Sequence, residues 1–249
     1  LHHSTRRTHI MTNYDAKTSE WLEIIHRNHL GHFRFLPEQL GFGVYELNGT
    51  TIINCGLTTS MFNIAYGTPK TLVVPESIDA VKNAFGGKPF AWWFPSSDHN
   101  QQMTDTLLKE GLQIETTEHA MICHLEEYAH QANPSGLKIL PVLDQTLMHD
   151  FIKVIEVYDA NVNDFYQRVN AELLRRNEKL FVGYDDNKPV TIGILFCDQD
   201  NAGIFSLITN ADSRGKGHGT SMMLFMLEFA KKIGCRTATL SASSDAGYR

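Results

Sequence analysis

The chain has 249 residues, of which 42% are hydrophobic and 20% charged, and its 22 basic and 28 acidic side chains give a formal net charge of −6. This composition is typical of globular proteins and excludes wholesale disorder, and no stretch approaches the ~18 apolar residues that a membrane-spanning helix needs. The acidic balance argues against nonspecific nucleic-acid binding, which requires a basic surface, so we expect neither nucleic acid nor a membrane as a partner.

The amino terminus carries a polar decapeptide, LHHSTRRTHI, ahead of Met11. Residues 1–10 are too polar for a secretory signal and are typical of the remnant of an expression tag, with a native basic arm as the alternative. We expect a cytoplasmic protein. The four cysteines have no C-x-x-C spacing and predict reduced thiols, and no Cys/His spacing indicates a metal site.

The first half of the chain, residues 11–130, alternates helix-like and strand-like patterns. The predicted elements are a helix at 21–29, hairpin strands at 43–47 and 50–54 around an Asn-Gly turn, a strand at 71–74, a helix at 77–85, a strand at 90–94, a helix at 100–111 and a strand at 119–125. His26, His29 and His32 recur every third residue. Metal-binding pairs on a helix favour a spacing of four, so we expect solvated histidines at a helix end.

The second half, residues 137–249, follows the segment Gln-Ala-Asn-Pro-Ser-Gly at 131–136, which predicts a linker between two domains. Asp/Asn-rich tetrapeptides at 185–188 and 198–201 are typical of tight turns, so the strands around them should form an antiparallel meander. The predicted elements are a strand at 138–142, helices at 144–158 and 164–177, strands at 180–184, 190–197 and 203–209, a helix at 219–233 and a strand at 236–242.

A glycine-rich loop joins the third meander strand to the long helix and reads R-x-x-G-x-G from Arg214 to Gly219. Glycines let a phosphate approach bare backbone N–H groups, and the first N–H groups of a helix carry partial positive charge without an intrahelical partner. The loop and the helix start therefore predict a diphosphate site. A Walker A loop would need Ser or Thr at position 217, which is glycine, and the dinucleotide fingerprint G-x-G-x-x-G is not completed in either frame.

With this loop between a meander strand and a helix, residues 137–249 resemble the GNAT superfamily of N-acetyltransferases, which bind acetyl-CoA. The resemblance implies an α/β (α+β) fold with a mixed, mostly antiparallel sheet flanked by helices. It also implies acetyl-CoA as co-substrate, with pantetheine beside the end of the third meander strand and the diphosphate on the loop. The cofactor-binding residues that it implies are Leu207, Ile208, Thr209, Arg214, Gly215, Lys216, Gly217, His218, Gly219 and Thr220.

The resemblance further implies that residues 240–242 splay away from the strand before the loop and open a slot for the thioester. A backbone N–H near Leu207 then stabilises the developing oxyanion. The family often places a glutamate base on that strand, but residues 202–209 contain no carboxylate. Tyr158 and Asp159, with Asp164, fall where the family's substrate loop lies and are candidates for acceptor contact.

The resemblance implies a closing helix and two strands after residue 249, so we expect either that the sequence is truncated or that another part of the protein supplies this layer. The tyrosine that protonates the leaving thiolate in the family falls just beyond Arg249, and Tyr248 is about one turn early. Residues 90–125 read strand, helix and hairpin, which is similar to that closing part. We therefore expect two similar halves, the first being a degenerate GNAT-like copy without a cofactor, and an unrelated α+β domain is the alternative.

The function expected from the resemblance is transfer of an acetyl group from acetyl-CoA to an amine, in a small molecule or a peptide, by direct attack and without a metal. The alternative is a noncatalytic acyl-CoA-binding or regulatory module. The sequence indicates neither the acceptor nor the oligomeric state.

Overall fold

The protein was analysed as a computed structural model, which describes residues 16–67, 75–95 and 101–242. The decapeptide at 1–10, the predicted strand at 71–74 and Tyr248 lie outside the described residues. The helices and strands, in chain order, are α1 Ala16–Gln39, β1 Gly43–Leu47, β2 Thr50–Asn54, β3 Asn63–Tyr66, α2 Pro75–Ala84, β4 Ala91–Trp93, α3 Gln101–Lys109, β5 His119–His124, β6 Lys138–Pro141, α4 Gln145–Ile155, α5 Asn163–Tyr166, β7 Glu178–Asp185, β8 Lys188–Asp198, β9 Asn201–Thr209, α6 His218–Lys232 and β10 Thr237–Ala242.

Two sheets carry the fold. The first has the order β1-β2-β3-β4 and the second has the order β5-β10-β9-β8-β7-β6. All neighbours are antiparallel except β3 with β4 and β9 with β10, which are parallel. The predicted α/β class with mostly antiparallel sheets flanked by helices is confirmed, as is the meander β7-β8-β9.

The two sheets share one connectivity. In each, three antiparallel strands are followed by a helix, α2 or α6, and then by a strand parallel to the third. The strand β5 departs from this plan, because it precedes the segment 131–136 in the chain yet pairs antiparallel with β10 at the edge of the second sheet. The segment 131–136 therefore does not mark the division between the sheets.

Several predicted elements differ from the observed ones. Residues 164–177 do not form one helix: α5 ends at Tyr166, and the Asn170 side chain accepts hydrogen bonds from the N–H groups of Glu172 and Leu173 (3.0 and 3.1 Å), which starts a separate turn. The predicted hairpin within 114–125 contains only the strand β5. The four-residue strand β3 was not predicted, and α1 runs ten residues beyond position 29.

One hydrophobic core spans both halves. In β2, Ile53 faces this shared core while its neighbour Ile52 faces α2, as strand alternation requires. The shared core also takes Phe151 and Ile155 from α4 and Ile194 from β8. The helix α6 covers the opposite face of the second sheet, where Gly193 allows Met226 to lie against the strand backbone.

Candidate functional site

The loop between β9 and α6 has the backbone conformation that its glycines permit. Gly215 and Gly217 have φ of +75° and +80°, in the left-handed region that favours glycine, and Gly217 is the residue immediately before α6. The loop is open to solvent: Arg214, Gly215 and Lys216 are exposed, and Gly217 and Gly219 are partly exposed. Packing does not cover this turn.

The loop also presents a run of free backbone donors. The N–H groups of Ser213 and Arg214 bond to the carbonyls of Asn210 and Ala211, and the N–H of Ser221 bonds to the Gly217 carbonyl at 2.9 Å. Between these positions, the structure shows no hydrogen bond donated by the backbone N–H groups of residues 215–220, all of which are described. Six consecutive unsatisfied donors at a helix start are suited to an anion with several oxygens.

Two side chains set the charge around the loop. The Arg214 Nε donates to the Thr209 carbonyl at 3.1 Å, which holds the guanidinium beside the end of β9. Asp185, the last residue of β7, places its carboxylate 3.9 Å from the Lys216 Nζ and 3.4 Å from the Nε2 of the buried His218. An anion on the loop would therefore meet Arg214 directly, whereas Lys216 already has an acidic neighbour. Asp185 was not predicted near the loop, because it lies 31 positions before Lys216 in the chain.

The segment 131–136 packs against the start of α6. The Ser135 hydroxyl lies 2.7 Å from the Ser221 hydroxyl, and Ser221 also donates to the Gly217 carbonyl at 3.0 Å. A Cβ built at Gly217 would lie 3.6 Å from Pro134, which is ordinary contact. This segment thus fixes one side of the loop and leaves the backbone N–H groups of residues 215–220 free.

The strand β9 contains a bulge just before the loop. Ile192 of β8 pairs with Ile208 and Ile194 pairs with Phe205, so β9 has one residue more than β8 over this interval. Within the bulge, Ser206 has φ of +46°, which is uncommon for a residue other than glycine. The bulge turns backbone groups around Leu207 out of the ladder, at the position where the resemblance implies oxyanion stabilisation.

Beyond the bulge, β9 and β10 separate. Their parallel pairing runs from Asn201 with Thr237 to Ile204 with Leu240, while Ser241 and Ala242 pair only with β5 on the other side. Among the residues that the structure describes, none pairs with the β9 edge from Phe205 to Thr209 on the β10 side. We call this opening the fork. The resemblance implies that residues 240–242 leave β9, whereas Leu240 still pairs with Ile204 and the strands separate from Ser241 onward. An extended ligand can pair with the free edge.

The helix α1 lies across one face of the fork. Its Asn28 donates a hydrogen bond to the Thr239 hydroxyl at 2.8 Å, and its His29 Nε2 lies 3.1 Å from the Ser241 hydroxyl. The His29 ring also lies against Phe205, with ring centroids 5.5 Å apart. Burial lowers the pKa of His29 to about 4, with smaller contributions from His32 and His26. His29 is thus neutral near pH 7 and lies at the mouth of the fork.

The three histidines of α1 do not occupy a solvated helix end, as the sequence analysis expected. They lie in the middle of a 24-residue helix that packs between the two sheets. The His32 ring stacks on Phe205 at 4.0 Å, and its Nδ1 lies 3.0 Å from the carboxylate of Glu178, which is 1% exposed. The ring of His26 meets Tyr66 of β3 edge-on at 5.6 Å. The expectation was wrong because the spacing of the three histidines along the sequence does not show that a second sheet packs against this part of α1.

The residues suggested for acceptor contact have other surroundings. Tyr158 is 60% exposed after α4. The Asp159 carboxylate caps the next turn, accepting from the Asn161 backbone N–H at 2.9 Å, and hydrogen bonds from Thr59 and Asn161 lower its pKa despite partial burial. Such a carboxylate is a poor base. Asp164 is exposed in the first turn of α5.

A separate acidic recess lies at the opposite end of β9 and β10. Its volume is about 490 Å³ and its walls include the carboxylates of Glu20, Glu23, Glu126, Glu127 and Asp200. No residue of the loop or the fork lines it. Within the ranges that the structure describes, no group of three or more His, Cys, Asp or Glu side chains could hold a metal ion, and no helix is long and apolar enough to span a bilayer.

Comparison with known proteins found a match to one family model and solved structures with a similar fold. Residues 141–247 match the model of the acetyltransferase (GNAT) family. A GCN5-related N-acetyltransferase from Kribbella flavida is structurally similar, with a TM-score of 0.67 at 14% identity over 91% of this chain and 88% of that one. A functionally unknown conserved protein from Staphylococcus epidermidis ATCC 12228 has a TM-score of 0.57 at 15% identity, over 82% of this chain and 84% of that one. Among curated protein sequences, none matches this chain significantly.

The identities to the solved structures are low, so these likenesses concern the fold alone. The likeness to the Kribbella protein extends over both sheets, whereas the family match begins at the end of β6 and takes in the bulge, the fork and the loop. The segment 141–247 therefore matches the acetyltransferase (GNAT) family model, and the whole chain shares its fold with the Kribbella protein.

Proposed function

We propose that this protein transfers an acetyl group from acetyl-CoA to the amine of a small molecule or a peptide. The observation that carries the proposal is the continuity of the free β9 edge at the fork with the six unbonded N–H groups of residues 215–220. A ligand with an extended amide chain and a diphosphate matches both features at once. Acetyl-CoA has that structure and supplies the activated acetyl group.

The residues present fit this co-substrate. Leu207, Ile208 and Thr209 offer a strand edge to the pantetheine amides, and the loop from Arg214 to Thr220 offers the diphosphate bare N–H groups and one available guanidinium. A neutral amine at the fork attacks the acetyl carbon directly, and the bulge gives the developing oxyanion a backbone donor near Leu207.

The first half fits a degenerate second copy of the same fold. Its sheet repeats the connectivity of the second one, with a strand, β4, parallel to β3 after the helix α2. It has no R-x-x-G-x-G motif. On this proposal only the second half binds acetyl-CoA, and the first half contributes α1 and β5 to the acceptor side of the fork.

Calorimetry with acetyl-CoA and an assay of CoA release across a panel of amines test the proposal. Stoichiometric binding, together with CoA release that depends on one class of amine, is the expected result. Absence of acetyl-CoA binding by the full chain contradicts it.

A second candidate function is a noncatalytic acyl-CoA-binding module. It is favoured by one observation, the lack of any carboxylate on β9, where the family often has its base. Binding of acetyl-CoA without turnover of any amine in the panel supports this second function over the first.

A further inference from the structure

The absent carboxylate on β9 leaves the proton of the attacking amine without an acceptor on that strand. The only pairing of a titratable ring with a hydroxyl that the described residues show at the fork is His29 of α1 with Ser241 of β10, at 3.1 Å. These residues are 212 positions apart, and they come from the two different halves of the chain. Ser241 is the first residue of β10 after its last pair with β9.

Strand alternation orients this pair toward the acceptor side. Thr237, Thr239 and Ser241 share one face of β10, and two of them contact α1 through Asn28 and His29. The residues between them, Ala238 and Leu240, pack with α6 on the opposite face. The Ser241 hydroxyl is therefore on the side covered by the first half, beside the free β9 edge.

The pair is partly accessible. His29 and Ser241 both retain some exposure, as do Phe33, Trp93 and Phe205, which surround the ring. This leaves an aromatic-walled approach to the fork.

Within the described part of the chain, two titratable groups act on His29. His26 and His32 are on its own helix, and His32 is paired with Glu178 of β7. The strands β4, β9 and β10 present Trp93, Phe205 and Ser241 to the ring, and none of these titrates between pH 4 and 9. A proton on His29 can therefore return to the fork through its hydrogen bond with the Ser241 hydroxyl.

We infer that Ser241 and His29 form a proton relay for acetyl transfer, in which Ser241 contacts the reacting amine and His29 accepts the proton through it. The inference rests on the proposed function. It means that the first half of the chain, through His29, takes part in the reaction catalysed by the second half.

As the amine nitrogen bonds to the acetyl carbon it becomes positively charged, and its proton becomes acidic enough for a weakly basic imidazole to accept. Ser241 Oγ takes this proton and passes its own to His29 Nε2, in the tautomer that carries its proton on Nδ1. When the carbon–sulfur bond breaks, His29 returns the proton through Ser241 to the sulfur. The net result is an amide and a free thiol, with both side chains restored.

The variant His29→Gln tests the relay in the full-length protein. Glutamine can hold a hydrogen bond to Ser241 but cannot accept a proton. We expect kcat to fall by roughly 10²- to 10⁴-fold, the range of general acid–base catalysis, while the calorimetric Kd for acetyl-CoA stays within about twofold. Ser241→Ala should give a similar loss, and the double variant should lose little more than either single variant, because the two residues act as one unit.

A matched control uses His26→Gln, which changes a histidine one turn earlier on α1 whose ring faces Tyr66. Its kcat should remain within about twofold of the unchanged protein. In His29→Ala, added imidazole should restore part of the lost kcat, since a free base can occupy the space left by the ring, and a merely structural role for His29 does not predict this rescue.

A readout independent of activity is the ¹⁵N NMR spectrum of the His29 ring. The relay predicts an unprotonated Nε2 that shifts in Ser241→Ala, whereas a ring protonated on Nε2 contradicts it. The relay is also overturned if His29→Gln keeps its kcat within twofold, or if its loss lies entirely in acetyl-CoA affinity. Failure of the unchanged protein to bind acetyl-CoA defeats the proposed function instead, so the two failures are distinguishable.

Discussion

At the scale of single residues, the site depends on positions whose neighbours the sequence does not reveal. Gly215 and Gly217 have positive φ, as the sequence of the loop indicates, because glycine is the residue that adopts this conformation without strain. The approach of a phosphate to these glycines stays a prediction. By contrast, two pairs of residues come into contact only in the folded chain. They are His29 with Ser241, and Asp185 with Lys216. Local spacing carries no signal for such pairs, and for His29 it led to the opposite expectation.

Gly217→Asp should weaken acetyl-CoA binding strongly. A carboxylate about 4 Å from a phosphate costs on the order of 1 to 4 kcal/mol, according to how well water screens it, so we expect an increase in Kd of at least roughly fivefold by calorimetry. Position 217 has φ of +80°, so any side chain there also strains the backbone.

The matched control for Gly217→Asp is Gly234→Asp. Gly234 has φ of +95° beyond the other end of α6 and no atom within 4 Å of an added Cβ. It carries the same strain and the same charge but should leave the Kd unchanged. Equal losses of affinity in the two variants would show that strain, and not repulsion at the loop, is responsible.

The pKa of His29 makes stability depend on pH. In the folded chain this ring stays neutral down to about pH 4, because it is buried, whereas in the unfolded chain it takes up a proton below its ordinary pKa of 6.5. The unfolded state binds the extra proton between these values, so the free energy of unfolding should fall as the pH decreases from 6.5 to 4, by up to about 3 kcal/mol from this group. Urea unfolding of the unchanged protein and of His29→Gln at several pH values measures the difference. Parallel pH profiles would contradict the assignment.

At the scale of elements, the second half was predicted closely and the first half less so. The strands β7, β8 and β9 are separated by Asp/Asn turns whose chemistry marks their ends, and their predicted bounds lie within two residues of the observed ones. Residues 164–177 have helical composition, but Asn170 diverts the backbone into a capped turn. The strand β3 has only four residues, too few to show a period.

Gly31→Ala tests how α1 is held on the second sheet. Alanine should favour the helix by roughly 1 kcal/mol, but its Cβ would lie 2.5 Å from the Phe196 ring, and such overpacking costs typically about 1 to 3 kcal/mol. We expect net destabilisation in urea unfolding. In a Phe196→Leu background the same change should be neutral or stabilising, because the ring that it strikes is gone. A stabilising Gly31→Ala in the unchanged protein would mean that α1 sits farther from β8.

At the scale of the whole molecule, the two halves are joined through more than a linker. The strand β5 closes the second sheet, α1 covers its face, and one core includes residues of both sheets. The pattern of residues 90–125 is similar to the closing part of the family fold. The position of β5 beside β10 could not be predicted, since the pairing of strands far apart in the chain leaves no periodic trace.

Residues 137–249 expressed alone should fail to fold cooperatively. Without β5 and α1 they expose an unpaired β10 edge and apolar side chains such as Phe196, which is 4% exposed in the full chain. Far-UV circular dichroism during thermal unfolding, with size-exclusion chromatography, measures this. Co-expression with residues 1–136 should restore a sharp transition. A fragment that unfolds as cooperatively as the full chain would show that the halves are independent.

The central claim is that the free backbone N–H groups of residues 215–220 bind the diphosphate of acetyl-CoA while the fork receives its thioester. A crystal structure of the full chain with acetyl-CoA tests this most directly. The account predicts diphosphate oxygens within hydrogen-bonding distance of those N–H groups, and the acetyl group between Phe205 and Ser241. A nucleotide bound to the first half, or a loop that stays empty at saturating acetyl-CoA, would contradict it.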